Sequence, residues 1–110
     1  MKKVIVCLIV GFWASTVNAG TPVFGVSKDL GEALEKSVAA VEQAASVHGT
    51  CVSEYPSLDT CTESKGYWQC QSIRANHKGS CANKPSDLDN VIKAAKGLSG
   101  PAAKLGLGAN

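Results

Sequence analysis

CVSEYPSLDTCTESKGYWQCQSIRANHKGSC, residues 51–81, holds four of the five cysteines, and how this stretch is read decides the fold. Cys51-Val52-Ser53-Glu54-Tyr55 alternates weakly between apolar and polar residues and is stopped by Pro56. Ser57-Leu58-Asp59-Thr60-Cys61 looks like a capped helical turn with Ser57 as the cap. Tyr67 to Arg74 begins after Gly66 and carries strand-like residues, and Asn76-His77-Lys78-Gly79 is a turn signal. The stretch therefore predicts short helical or extended pieces, which need a brace from outside regular secondary structure.

The cysteines themselves are the candidate brace. Cys51, Cys61, Cys70 and Cys81 are an even set in a short chain, the usual mark of a disulfide framework. Each bridge contributes about 2–4 kcal/mol, comparable with the whole stability of so small a domain. Spacing alone does not choose among the three connectivities. Two segments folded back on each other would bring Cys61 level with Cys70 inside Cys51 level with Cys81, so the nested pattern is the expectation. Cys51-x9-Cys61 followed by Cys70-x10-Cys81 also resembles the twin CX9C helical-hairpin proteins, in which two antiparallel helices are joined by two nested disulfides. The resemblance covers about a third of the chain and implies the same pairing. The chain departs from that pattern in its second spacing of ten, in Pro56 and in Gly79, and no function is carried over.

Upstream, residues 1–19 read as a cleaved secretory signal peptide. Lys2 and Lys3 form a positive start, Val4 to Trp13 is an apolar run interrupted by Gly11, and Val17-Asn18-Ala19 places small residues before a cut at Gly20. The apolar run is too short to span a bilayer, which takes about 20 residues, and Ser15, Thr16 and Asn18 follow it at once. The expected location is secreted or periplasmic, where thiols oxidise.

Two amphipathic helices are expected to flank the cysteine segment. Gly20 to Val26, with Pro22 and two glycines, reads as a loose arm. Asp29 then caps a helix in a capping-box arrangement with Glu32, and Leu30, Leu34, Val38, Val41, Ala45 and His48 recur on one face up to a stop at Gly49. A shorter helix follows Pro85 with Ser86 as cap, burying Leu88, Val91, Ile92 and Ala95 and ending at Gly97. Together these predict a mainly α, small disulfide-stabilised domain over residues 20–96. Residues 97–110, rich in Gly and Ala, have too little apolar bulk to offset their ordering entropy and read as a flexible tail.

The whole chain carries a net charge of +2, which comes from Lys2 and Lys3; residues 20–110 balance nine basic against nine acidic side chains. That neutrality argues against nucleic acid as a partner. The charge is unevenly spread, about −5 over residues 20–63 and about +5 over 64–110, so the acidic first helix is expected to lie near the basic second one, with salt-sensitive self-association as the sharper alternative.

No catalytic motif or close C-x-x-C pair is present, and the expectation is a protein that is not an enzyme. His48-x2-Cys51 and His77-x3-Cys81 lie near each other in sequence, but zinc sites usually present C-x2–4-C, so neither a metal nor a cofactor is expected. Tyr67, Trp68, Arg74, His77 and Lys78 form the candidate binding patch, because Trp, Tyr and Arg are the types enriched at interface hot spots. The competing account of Tyr67 and Trp68 is that they cover the disulfides. The reading is a non-enzymatic recognition factor, inhibitor-, effector- or accessory-like, whose partner is another protein. Its alternative is a membrane-active or toxin-like peptide using Lys93, Lys96 and Lys104 of the basic C-terminal region.

Overall fold

The bulky side chains of Thr21–Ser27 sit at every second position, Pro22, Phe24 and Val26, with Val23 and Gly25 between them. This segment is a β-strand, β1, and it overturns the mainly α expectation. In a computed structural model describing residues 20–104, β1 (Thr21–Ser27), α1 (Leu30–His48), β2 (Val52–Glu54), β3 (Cys61–Ser64), β4 (Tyr67–Arg74) and α2 (Leu88–Ala95) follow in order. Single 3₁₀ turns occupy Leu58–Thr60 and Lys78–Ser80. The four strands form one antiparallel sheet, so the class is α+β. The proposed signal peptide and residues 105–110 lie outside the described residues.

β4 is the centre of the sheet. β1 pairs along one side of it from Thr21↔Arg74 to Ser27↔Trp68, while β3 (Cys61↔Cys70 to Ser64↔Tyr67) and β2 (Val52↔Arg74) share the other side. Lys65 and Gly66 join β3 to β4 with φ of 55° and 86°, the two left-handed positions that a tight primed hairpin turn requires.

α1 covers one face of this sheet, and small residues on β1 let it approach. A Cβ on Gly25 would lie 2.2 Å from the Ser37 nitrogen and 2.4 Å from the Ala33 oxygen, so glycine alone fits there. This explains why β1 escapes a sequence reading. Gly25 and Ser27 are buried under the helix, whereas Pro22, Phe24 and Val26 point away, which inverts the usual apolar-in alternation.

Both ends of α1 follow its sequence signals. Asp29 accepts from the Glu32 amide at 2.8 Å, although the Glu32 carboxylate accepts from Ser27 Oγ (2.6 Å) instead of closing the box. Gly49 adopts φ 78° as the left-handed cap. α2 packs back on α1 at Gly31, where a Cβ would meet the Lys96 nitrogen at 2.5 Å and the Ile92 oxygen at 2.7 Å. Leu88, Ile92 and Ala95 complete a core with Leu30, Leu34, Val38, Trp68, Cys61 and Cys70.

The nested pairing, Cys51–Cys81 and Cys61–Cys70, is present. It sits on strands and loops, not on the antiparallel helices of the resemblance, because Cys61 and Cys70 are register partners of β3 and β4. Two intramolecular disulfides are consistent with an oxidising location, and no helix among the described residues is long and apolar enough to cross a membrane.

Residues 97–104, which composition reads as part of a tail, make contacts with the rest of the fold. Asp29 binds the Gly97 amide, Leu30 N donates to the Leu98 oxygen at 2.8 Å, and Ala103 is buried. One side-chain acceptor, one backbone bond and one small apolar contact make this seam, and composition records little of it.

Candidate functional site

The five residues of the sequence-predicted patch are not brought together. Tyr67 and Trp68 are neighbours in β4 and therefore point to opposite faces. Trp68 is only 2% exposed; its Nε1 donates to the Gly100 oxygen at 3.0 Å, and it lies in the core with Cys61 and Cys70. It covers a disulfide. Arg74 is at the far end of the strand, about 23 Å from Tyr67 at about 3.3 Å per residue, and its guanidinium donates to Thr21 Oγ1 (2.8 Å) and to the Ala75 oxygen. His77 and Lys78 are exposed beyond it, in the loop leading to Cys81.

The candidate metal ligands fare similarly. Cys51 and Cys81 are joined to each other, and His48 lies at the exposed end of α1. Among the described residues no group of three or more His, Cys, Asp or Glu gathers where an ion could be held.

The C-terminal lysines have local partners. Lys96 pairs with Glu35 across the helix–helix contact at 2.8 Å, and Lys104 Nζ lies 3.0 Å from the Cys61 oxygen and 5.7 Å from the Trp68 ring centre. The acidic first helix thus meets Lys96 at the end of α2, although Asp89 balances Lys93 within α2 itself. Glu35 raises the Lys96 pKa by hydrogen bonding and by its charge. A groove of about 510 Å³ runs between the helices, with Glu35 and Glu42 on one wall and Lys93 and Lys96 on the other. Glu42 accepts from the Tyr55 hydroxyl at 3.2 Å, and burial, this bond and the Glu42 charge raise the Tyr55 pKa.

What the fold does assemble is the sheet face turned away from α1. Register places Pro22 beside Ile73, Phe24 beside Gln71, and Val26 beside Gln69, which has Thr62 on its other side, with Tyr67 and Ser64 at the hairpin end. Phe24, Val26 and Tyr67 are 44%, 45% and 47% exposed, although Phe and Val are among the residue types most often found inside. None of these positions is charged. Charge enters only at the two ends, where Lys28 Nζ stands 5.6 Å from the Tyr67 ring centre and the exposed Glu54 lies opposite Ile73.

This face offers a surface of aromatic, aliphatic and amide groups with no charge at its centre. Of its members only Tyr67 belonged to the predicted patch. The period of two in TPVFGVS is the signal that could have revealed the rest, once Gly25 is recognised as a place where another backbone comes close. No protein-family model, curated protein or solved structure matches the chain.

Proposed function

We propose that this chain is an exported, non-catalytic binding protein that holds another protein on the open face of its sheet. The observation that carries the reading is the concentration of exposed Phe24, Val26 and Tyr67 on one uncharged face, while the opposite face of the same strands is packed under α1. Burying such side chains is worth about 25 cal/mol per Å² of apolar area, and nothing within the chain's described residues collects that energy. The small core and two disulfides support a preorganised surface, which lowers the ordering entropy of binding. Export is supported by the character of residues 1–19 and by the paired cysteines.

The test is a photo-crosslinking side chain placed at position 24 of the oxidised protein, with position 47 as the control. Val47 is 82% exposed on α1, away from the sheet face. A defined protein adduct formed at 24 and not at 47 is the expected result. Equal adducts at both positions, or none at 24, would overturn the reading.

A further inference from the structure

We infer that the protein seated on this face is a second copy of the chain, stacked sheet on sheet with its strands reversed. The inference rests on the proposed use of the open face and names its occupant. A two-fold interface sets one patch against itself, so any charge near its centre meets its own like. Here the centre carries none. From Pro22 to Val26 and from Gln69 to Ile73 the outward side chains are Pro, Phe, Val, Gln, Gln and Ile.

The ends of the face carry opposite charges in places that a reversed copy would match. Lys28 adjoins Tyr67, and Glu54 lies opposite Ile73, six positions along β4 and about 20 Å away. Reversing one sheet over the other brings the Lys28 end of each copy over the Glu54 end of the other, with Lys28 on the β1 side of β4 and Glu54 on the β2 side, and the symmetry makes the match twice. A parallel stack would instead set lysine on lysine, which specifies the orientation.

Adding a copy strand to strand along the β1 edge is guarded. Pro22 has no N–H to offer, and Lys36 Nζ stands 3.5 Å from the Val26 carbonyl oxygen, which puts a cation at that edge. The face measures about 330 Å² per copy from strand rise and spacing. Doubled, that is below the about 1,000 Å² of total area expected of a stable interface, so the pairing is a weak, transient one.

Sedimentation equilibrium of the oxidised chain, from about 1 µM to about 1 mM, brackets such a pairing. The mass should rise from one copy towards two. Phe24→Glu should weaken the association at least about tenfold by burying a charge, with the circular dichroism unchanged, and Gln71→Glu serves the same test should the first variant fail to fold. Lys28→Glu and Glu54→Lys should each weaken it, and together they should restore it to within about threefold. A one-copy mass throughout, an indifferent Phe24→Glu, or a charge swap that fails to restore association would overturn the inference. If the mass stays at one copy while position 24 crosslinks a different protein, the self-pairing falls and the binding function stands. If neither occurs, both fall.

Discussion

Ser37 of α1 and Ser72 of β4 face each other across the seam between helix and sheet, both fully buried, with their hydroxyl oxygens 2.8 Å apart. Ser72 Oγ also lies 3.2 Å from the Ser37 carbonyl oxygen and 3.3 Å from that of Val23. The pair is what lets a helix lie this close to a strand, because bulkier side chains would push α1 off Gly25. Ser72→Ala should cost about 1–2 kcal/mol by leaving the Ser37 hydroxyl buried without its partner. Removing both hydroxyls should cost less than the two single changes added together, with a coupling of about 0.5–1 kcal/mol. Urea unfolding of the oxidised protein reads this directly. Additive losses would show that the hydroxyls do not act on each other.

Gly31 should tolerate no Cβ. Alanine is the better helix former by about 1 kcal/mol, but its Cβ would press on the Lys96 and Ile92 backbone, which cannot rotate away as a side chain can. Overpacking of that kind costs about 1–3 kcal/mol or more, so Gly31→Ala should be destabilising on balance. Hydrogen exchange should show lost protection in Leu88–Ala95, the helix that rests on it.

Elements governed by local chemistry were legible in the residues. α1 had a cap at Asp29, a face of period 3.6 and a stop at Gly49, and β4 had its strand-like run after Gly66. β1 was not legible, because Gly25 and Ser27 look like loop residues until one knows that α1 lies on them. The same blindness applies to the site: Trp68 has the composition of a hot spot but the position of a core residue, while Phe24 faces outward from a segment read as an arm. Which face a side chain occupies is set by tertiary packing, and a single sequence carries only its period.

The β3–β4 turn should be improvable. Lys65 holds φ 55°, a left-handed conformation that costs an ordinary L-residue about 1–2 kcal/mol and that asparagine accepts more readily. Lys65→Asn should therefore raise stability by about 0.5–1 kcal/mol. A thermal melt checks it, and an unchanged or lowered midpoint would show that the hairpin is not governed by this residue.

The two disulfides should differ in accessibility. Cys61 and Cys70 are 1% and 0% exposed beneath the core, whereas Cys81 is exposed and Cys51 half-buried. A dithiol reductant under native conditions should open Cys51–Cys81 first, and alkylation with peptide mapping should find label at those two residues. That bridge closes a separation of 30 residues against 9. On chain-entropy grounds its loss should cost about 3–4 kcal/mol. Simultaneous labelling of all four cysteines would mean that the inner pair is reached only by global unfolding once the outer one is gone.

Tyr55 should make the protein sensitive to alkali. Burial raises its pKa above the ordinary value of 10.0, and Glu42 adds to this both as hydrogen-bond acceptor and as a charge. The folded chain thus keeps the phenol proton to higher pH than the unfolded chain. Its contribution is fully present below about pH 10, the unfolded value, and is lost as the pH rises through the folded one. Lys96 shifts in the same direction through Glu35, so the wild-type curve alone cannot isolate the tyrosine. Comparison with Tyr55→Phe cancels the lysine. The variant should be less stable by about 0.5–1.5 kcal/mol near neutrality for the lost hydrogen bond. That difference should narrow steadily above about pH 10. Chemical denaturation of both proteins from pH 7 to 11 makes the comparison, and a gap that stays constant across the alkaline range would show that the phenol titrates alike in the folded and unfolded chains.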